Sequence, residues 1–405
     1  MISKWLNVRS LLSTEQLSNI YKYEQIDNYR DFHPNEVINH ALSKERWIDI
    51  PQQLLENYQM IGRQTPLKRA FRLEKAFGTN NKIYIKREDT LSNGSFKITS
   101  ALPQAYYGSI EGKSSVITET GAGQTGVAAA LAAKLTGMDC KVYMVRNSYD
   151  LKKLRRLMME MYGAKVIASP SEYTNIGRDL IEKGEKYGSI ALATSEVMEE
   201  ISQTNGSMNI AGSLFDFVLT YNTLIGLEVI EQLINNNIEP DIVIGCVGGG
   251  SSFGGFALPL LDYYGDRLER VVCTESSAIP TLTEGSYIYD YADGNGGGNK
   301  LLMYSLGCDF KAPGLHASGL RYHAASPILS HFVHEGTIEA QAYDETEAMK
   351  SAIEFAREEG VVASPESSYT LHAIKEMCKE YDNKNIVALL TGNGQLDLES
   401  YGGFL

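Results

Sequence analysis

Ile242-Val243-Ile244-Gly245-Cys246-Val247-Gly248-Gly249-Gly250-Ser251-Ser252 decides how this chain is built. The first six residues are continuously apolar and rich in β-branched side chains, which reads as a strand buried on both faces. Three glycines end it, and two hydroxyl residues open the segment that follows. Without Cβ atoms, the glycines let backbone approach a ligand closely. Ser251, Ser252 and the free N–H groups of a helix start would favour an anion. A plain tight turn between strand and helix is the other reading of such a run.

The same alternation continues on both sides. Apolar runs predict strands at Ile83–Ile85, Val116–Thr118, Cys140–Val145, Val166–Ser169, Ile190–Ala193, Ile242–Val247, Val271–Thr274 and Ile386–Leu390. Between them, Gln124–Leu135, Tyr149–Tyr162 and Asn175–Tyr187 read as helices. The second has Leu151, Leu154, Leu157, Met158 and Met161 at helical spacing, which predicts a stripe packed in the core. Strands alternating with helices predict an α/β fold with mainly parallel sheets covered by helices. Ligands in such folds bind beyond the carboxyl ends of the strands. Residues 1–60 are polar and predict surface helices wrapping the main body. Asp293 to Asn299, with four glycines, predicts a loop.

Bulk properties narrow the function. At 405 residues the chain is long enough for two lobes. Its net charge of −13 argues against nucleic acid or an anionic membrane as partner. No apolar stretch approaches the ~18 residues of a membrane span, and nothing resembles a secretion signal. The five cysteines show no paired spacing; Cys140, Cys246 and Cys273 sit in apolar runs, so a reducing, cytoplasmic setting is expected. The seven histidines show no metal-ligand spacing, and no metal site is expected.

Three further segments bear on chemistry. Lys97, in Ser92-Asn93-Gly94-Ser95-Phe96-Lys97-Ile98-Thr99, lies between a strand and an apolar helix face; desolvation there would lower its pKa and free the amine as a nucleophile. Thr118-Glu119-Thr120-Gly121-Ala122-Gly123-Gln124 follows a strand and suits a second anion, with Glu119 either a general acid/base or a helix cap. Thr391 ends the last apolar strand. An amine, a backbone phosphate cradle and a hydroxyl facing a ring nitrogen are what a pyridoxal phosphate enzyme requires.

Together these segments resemble the tryptophan synthase β-subunit family, within the fold-type II pyridoxal phosphate enzymes, and most of all its standalone second type. The matching stretches include Arg63-Gln64-Thr65-Pro66-Leu67, Gly94-Ser95-Phe96-Lys97, Thr118 to Gln124, Tyr162-Gly163-Ala164-Lys165-Val166, Gly245 to Ser251, Gly319-Leu320-Arg321-Tyr322-His323 and Thr391-Gly392-Asn393-Gly394. They occur in order through nearly the whole chain after residue 60.

The resemblance implies a two-lobed fold: an N-terminal helical extension (1–60), a large cofactor-binding lobe (61–114 and 201–405) and a smaller mobile lobe (115–200). It implies that Lys97 carries the cofactor and shuttles a proton, and that Glu119 is the acid/base. Thr120, Gly121, Ala122, Gly123 and Gln124 would hold the amino-acid carboxylate. Gly248, Gly249, Gly250, Ser251 and Ser252 would hold the phosphate, Thr391 the pyridine nitrogen, and Glu366 would lie at the ring edge. The implied reaction is β-replacement on L-serine through an aminoacrylate, with indole giving L-tryptophan. A homodimer and a monovalent cation held by backbone carbonyls are implied as well. The family's usual His before the lysine is here Phe96, its Asn after Gly-Gly-Gly-Ser is Ser252, Thr125 follows Gln124 where an aromatic residue or His is usual, and its Ser-Gly-His-Gly is Thr391 to Gly394. These departures cluster around the cofactor and leave room for another nucleophile or donor: a thiol, an amine, another aromatic, or phosphoserine. An inactive homologue that binds a metabolite or protein is a third reading, against which the intact Lys97, Glu119 and glycine run weigh. Neither the nucleophile nor any need for an α-subunit is written in these motifs.

Overall fold

Helices cover two main sheets, the larger mainly and the smaller wholly parallel. The computed structural model describes residues 2–292 and 298–405. The loop expected at 293–299 therefore falls, over 293–297, outside the described residues. The larger sheet runs in the order Glu339–Tyr343, Arg270–Ser276, Ile242–Cys246, Asn385–Leu390, Lys82–Arg87, Leu67–Arg69. All its pairings are parallel except the last, which is antiparallel. Ile242–Cys246 is buried at every residue, as the unbroken apolar run requires. Each such branched side chain contributes about 1.5–3 kcal/mol by leaving water.

The smaller sheet is wholly parallel, in the order Lys165–Ser169, Asp139–Val145, Ser115–Thr120, Ser207–Met208. Its strands interrupt the larger sheet in sequence, between Lys82–Arg87 and Ile242–Cys246. One helix among the described residues, Asp216–Asn235, is long and apolar enough to cross a membrane, but 78% of its apolar window is buried inside the protein. It packs against Ser251–Tyr264 and against the N-terminal strand Lys4–Leu6.

Four expectations need correction. Ile190–Ala193 is not a strand but the first turn of the helix Ile190–Gln203. Ser189 caps that helix by accepting the Leu192 N–H, and Ala193, Val197 and Ile201 form its buried i, i+4, i+8 stripe. A short apolar run alone cannot separate these outcomes. The expected helix Tyr149–Tyr162 is two helices, Arg146–Leu151 and Lys153–Met161, broken at Lys152. Its apolar stripe faces solvent: Leu151, Leu154, Leu157 and Met161 are 65, 58, 48 and 85% exposed. Arg155 and Met159 take the inner face instead, because the Arg155 guanidinium has a buried carboxylate partner in Asp397. The helix expected to reach Tyr187 stops at Glu182, before Gly184 and Gly188 at positive φ. Finally, the first 60 residues are more than a surface wrap: Trp5, Leu6, Val8, Leu54 and Tyr58 are fully buried.

Candidate active site

Lys97 immediately precedes the helix Ile98–Ile110. Its turn is zipped by backbone to the segment that ends the last strand. The Phe96 N–H donates to the Thr391 carbonyl at 3.0 Å, and the Asn393 N–H donates to the Gly94 carbonyl at 2.9 Å. Gly94 sits at φ 72°, where a Cβ would fall 2.2 Å from Asn393 Nδ2, so only glycine fits this crossing. Lys97 and Thr391, almost three hundred residues apart, are thereby fixed beside each other.

The Lys97 ammonium lies 5.0 Å from the centre of the Phe96 ring. Burial pulls its pKa below the usual lysine range; Glu366 partly opposes this and Arg155 adds to it. A desolvated amine that loses its proton readily is the form that adds to an aldehyde.

Lys97, Gln124, Gly248, Gly249, Gly250, Ser251, Ser252, Glu366 and Thr391 line one cleft, at the carboxyl ends of Ile242–Cys246 and Asn385–Leu390. A Cβ on Gly248 would lie 2.2 Å from the Gly319 carbonyl, and one on Gly249 would lie 2.0 Å from Ser213 Oγ. Gly250 has φ +97° and precedes the helix Ser251–Tyr264, which has no side-chain cap. Its uncapped N–H groups and positive dipole end suit a phosphate.

Glu119, Thr120, Gly121, Ala122 and Gly123 do not line that cleft. They lie at the end of the strand Ser115–Thr120 of the smaller sheet and in the turn after it. Gln124 connects the two groups: its Nε2 donates to Glu366 Oε1 at 3.1 Å. Glu366 Oε1 also accepts the Gly319 N–H at 2.8 Å, while its Oε2 is buried with no partner among the described residues. The Glu119 carboxyl is pushed above the usual range by burial, and Asn209, donating to its Oε2 at 3.2 Å, opposes this. Thr120 Oγ1 accepts the Gly126 N–H at 3.2 Å, and Arg155 donates to the Ala122 carbonyl at 3.0 Å.

This arrangement fits pyridoxal phosphate. The cradle has no room for Cβ atoms, the amine has a depressed pKa, and a buried strand-end hydroxyl, Thr391, faces the same cleft. Phe96 has no side-chain donor, so an anion in this cradle would rely on backbone N–H groups and serine hydroxyls. Sequence reading missed Ser213, Asn209, Arg155 and Ser367. Each comes from a segment whose local pattern carries no site signal, and tertiary packing alone brings it here.

Comparison with known proteins agrees. The family described as Pyridoxal-phosphate dependent enzyme matches residues 58–392. The tryptophan synthase beta chain 2 of Methanothermobacter thermautotrophicus is 42% identical over 99% of this chain and 96% of its own length. The tryptophan synthase beta chain of Pyrobaculum aerophilum is 43% identical over 92% of this chain and 91% of its own. Among solved structures, a threonine deaminase from T.th. superposes with a TM-score of 0.63 at 19% identity, covering 85% of this chain and 98% of that one. The processed threonine deaminase isoform 2 of Solanum lycopersicum gives 0.65 at 18% identity, covering 87% and 91%. The last two likenesses establish the fold. Pyridoxal phosphate is the cofactor, and the protein is a lyase or synthase that uses it. The chain belongs to the tryptophan synthase β-chain family of fold-type II pyridoxal-phosphate dependent enzymes.

Proposed function

We propose that the protein carries out β-replacement on L-serine, with indole as the incoming nucleophile and L-tryptophan as the product. The observation that carries this reading is the cleft that brings the Lys97 amine together with the Gly248–Gly250 run and Thr391; burial lowers the pKa of that amine and raises that of the Glu119 carboxyl, at the end of a strand of the smaller sheet. The names of the full-length relatives support the choice of indole.

Bound pyridoxal phosphate supplies the electron sink that lets the serine Cα–H and Cβ–O bonds break. Gly248, Gly249, Gly250, Ser251 and Ser252 would hold its phosphate, and Lys97 would anchor it. Thr120, Gly121, Ala122, Gly123 and Gln124 bind the serine carboxylate. Glu366 pins Gln124 and so fixes that loop against the larger sheet. The Lys97 amine would take the proton from serine Cα. Glu119, whose carboxyl burial pushes above the usual range, would donate a proton to the departing serine hydroxyl. As a carboxylate, it then accepts the proton that indole loses. Residues 115–200 act as the unit that closes over the cleft and excludes water.

A mass-spectrometric screen tests the reading. The loaded protein is incubated with L-serine and, in parallel, indole, a thiol, an amine or no nucleophile. Tryptophan from serine plus indole is the expected product. Keto acid and ammonia in every arm, with no adduct to indole, would overturn it.

A further inference from the structure

Asn209 stands where the smaller sheet lets go of its edge strand. The last pairing of that strand is Met208 with Val116. One residue on, a side chain takes over the next rung: Asn209 Nδ2 donates to the Ile117 carbonyl at 3.1 Å. The same Nδ2 donates to Glu119 Oε2 at 3.2 Å. A backbone carbonyl can only accept, so Ile117 fixes which end of the amide points this way. The second N–H of that amide falls to Glu119.

The amide is buried and its backbone is held from the N-terminal extension. The Asn209 N–H donates to the Phe32 carbonyl at 2.7 Å, and the Asn209 carbonyl lies 3.2 Å from His33 Nδ1. That carbonyl too can only accept, so Nδ1 carries the proton. Burial pulls the His33 pKa down to about 4, opposed by this bond, so the ring is neutral at neutral pH. Two residues on, the Ala211 N–H donates at 2.7 Å to Gln104 Oε1, on the helix that follows Lys97. Residues 209–211 are therefore tied at once to the extension, to the smaller sheet and to the helix of the reactive amine.

A donor on one carboxyl oxygen decides the part of the other. An oxygen that carries the acid proton accepts poorly, so with an N–H on Oε2 the proton of neutral Glu119 settles on Oε1. Burial raises the Glu119 pKa; its own backbone N–H and Asn209 pull it back, and no charged side chain among the described residues enters the balance.

We propose that Asn209 is a positioning residue for Glu119: gripped by the N-terminal extension, it occupies Oε2 and leaves Oε1 as the oxygen that gives and takes the proton. This rests on the reading of Glu119 as the acid/base. The extension thereby has a share in the chemistry without touching substrate.

The test uses the full-length enzyme loaded with pyridoxal phosphate. Infrared spectra over a pH series follow protonated carboxyls, and the band missing from Glu119→Gln is that of Glu119. The pH profile of kcat is recorded alongside. Asn209→Leu, of similar size and without a donor, removes a bond that favours the charged form. The band should then persist to a pH where the proton concentration is roughly 10- to 100-fold lower, and the matching limb of the profile should move with it. Its kcat should fall roughly 10- to 100-fold, while the KM for L-serine stays within about twofold. His33→Phe keeps every Asn209 atom and removes only the ring donor. It should move band and limb the same way by less, and it decides the matter if Asn209→Leu does not fold. If Glu119→Gln removes band and limb but the Asn209 and His33 variants that fold leave both in place, Asn209 is only structural and the proposal fails. If Glu119→Gln leaves kcat and its profile unchanged, Glu119 is not the acid/base, and the proposal falls with that reading.

Discussion

Gly248→Ala separates a phosphate cradle from an ordinary turn. The added Cβ would stand 2.2 Å from the Gly319 carbonyl oxygen, against 3.4–4 Å for ordinary contact. Something must move by roughly 1 Å, and the obstacle is backbone, which has no rotamer to escape into. Gly319 is also tied through its N–H to Glu366, so a shift is passed to the residue that pins Gln124. Overpacking of this kind costs about 1–3 kcal/mol, which weakens a ligand held there roughly 5- to 150-fold. The assay is absorbance titration of the cofactor-free protein with pyridoxal phosphate and, separately, with pyridoxal, which lacks the phosphate. Gly248→Ala should weaken the first and spare the second. Gly249→Ala should do less, because its obstacle, Ser213 Oγ at 2.0 Å, is a hydroxyl that can rotate. Equal weakening of both ligands, or of neither, would refute the cradle.

Lys97→Ala should abolish borohydride fixation of the cofactor. In the wild type, fixation should slow as pH falls through the lowered lysine pKa, because only the neutral amine reacts; trapping at a series of pH values reads this directly. Glu119→Gln should lower kcat roughly 10²–10⁴-fold with little change in cofactor affinity, and should remove the limb of the pH–rate profile set by its raised carboxyl pKa. Glu228→Gln should cost about 3–5 kcal/mol in urea denaturation, since it leaves Arg63 and Lys86, both fully buried, short of a counter-charge. Met161→Lys, on the solvent-facing stripe, should stay within about 0.5 kcal/mol of wild type, whereas Met159→Ala should cost about 2–5 kcal/mol; thermal melts compare the pair.

What could be read from the sequence follows a physical divide. Lys97, the glycine run and Thr391 announce themselves because each sits where a continuously apolar strand gives way to a turn, and that change is local. Ser367 had no role in that reading, since what it contacts, the Thr391 hydroxyl, lies 24 positions away in sequence. Asn209, which faces Glu119, comes from a short connection without any pattern of its own. The stripe at Leu151 to Met161 misled for a different reason. Periodicity reports that a helix has an apolar face, but which face turns inward was decided by the Arg155–Asp397 ion pair, whose partners lie 242 residues apart. The run at Ile190 was too short for periodicity to speak, and a cap at Ser189 settled it.

The strand Asn385–Leu390 lies at the middle of the larger sheet, between Ile242–Cys246 and Lys82–Arg87. During synthesis its two neighbours emerge long before it does and have no native partner on their facing edges until residue 390 has left the ribosome. Lys97 waits on the same event, because its turn is stitched to Thr391 and Asn393. The growing chain can therefore fold the smaller sheet early but can neither close its main sheet nor capture its cofactor until Asn385–Leu390 and the turn after it have been made. A chain interrupted before residue 385 would hold a folded smaller sheet beside an open larger one, with no seat for pyridoxal phosphate.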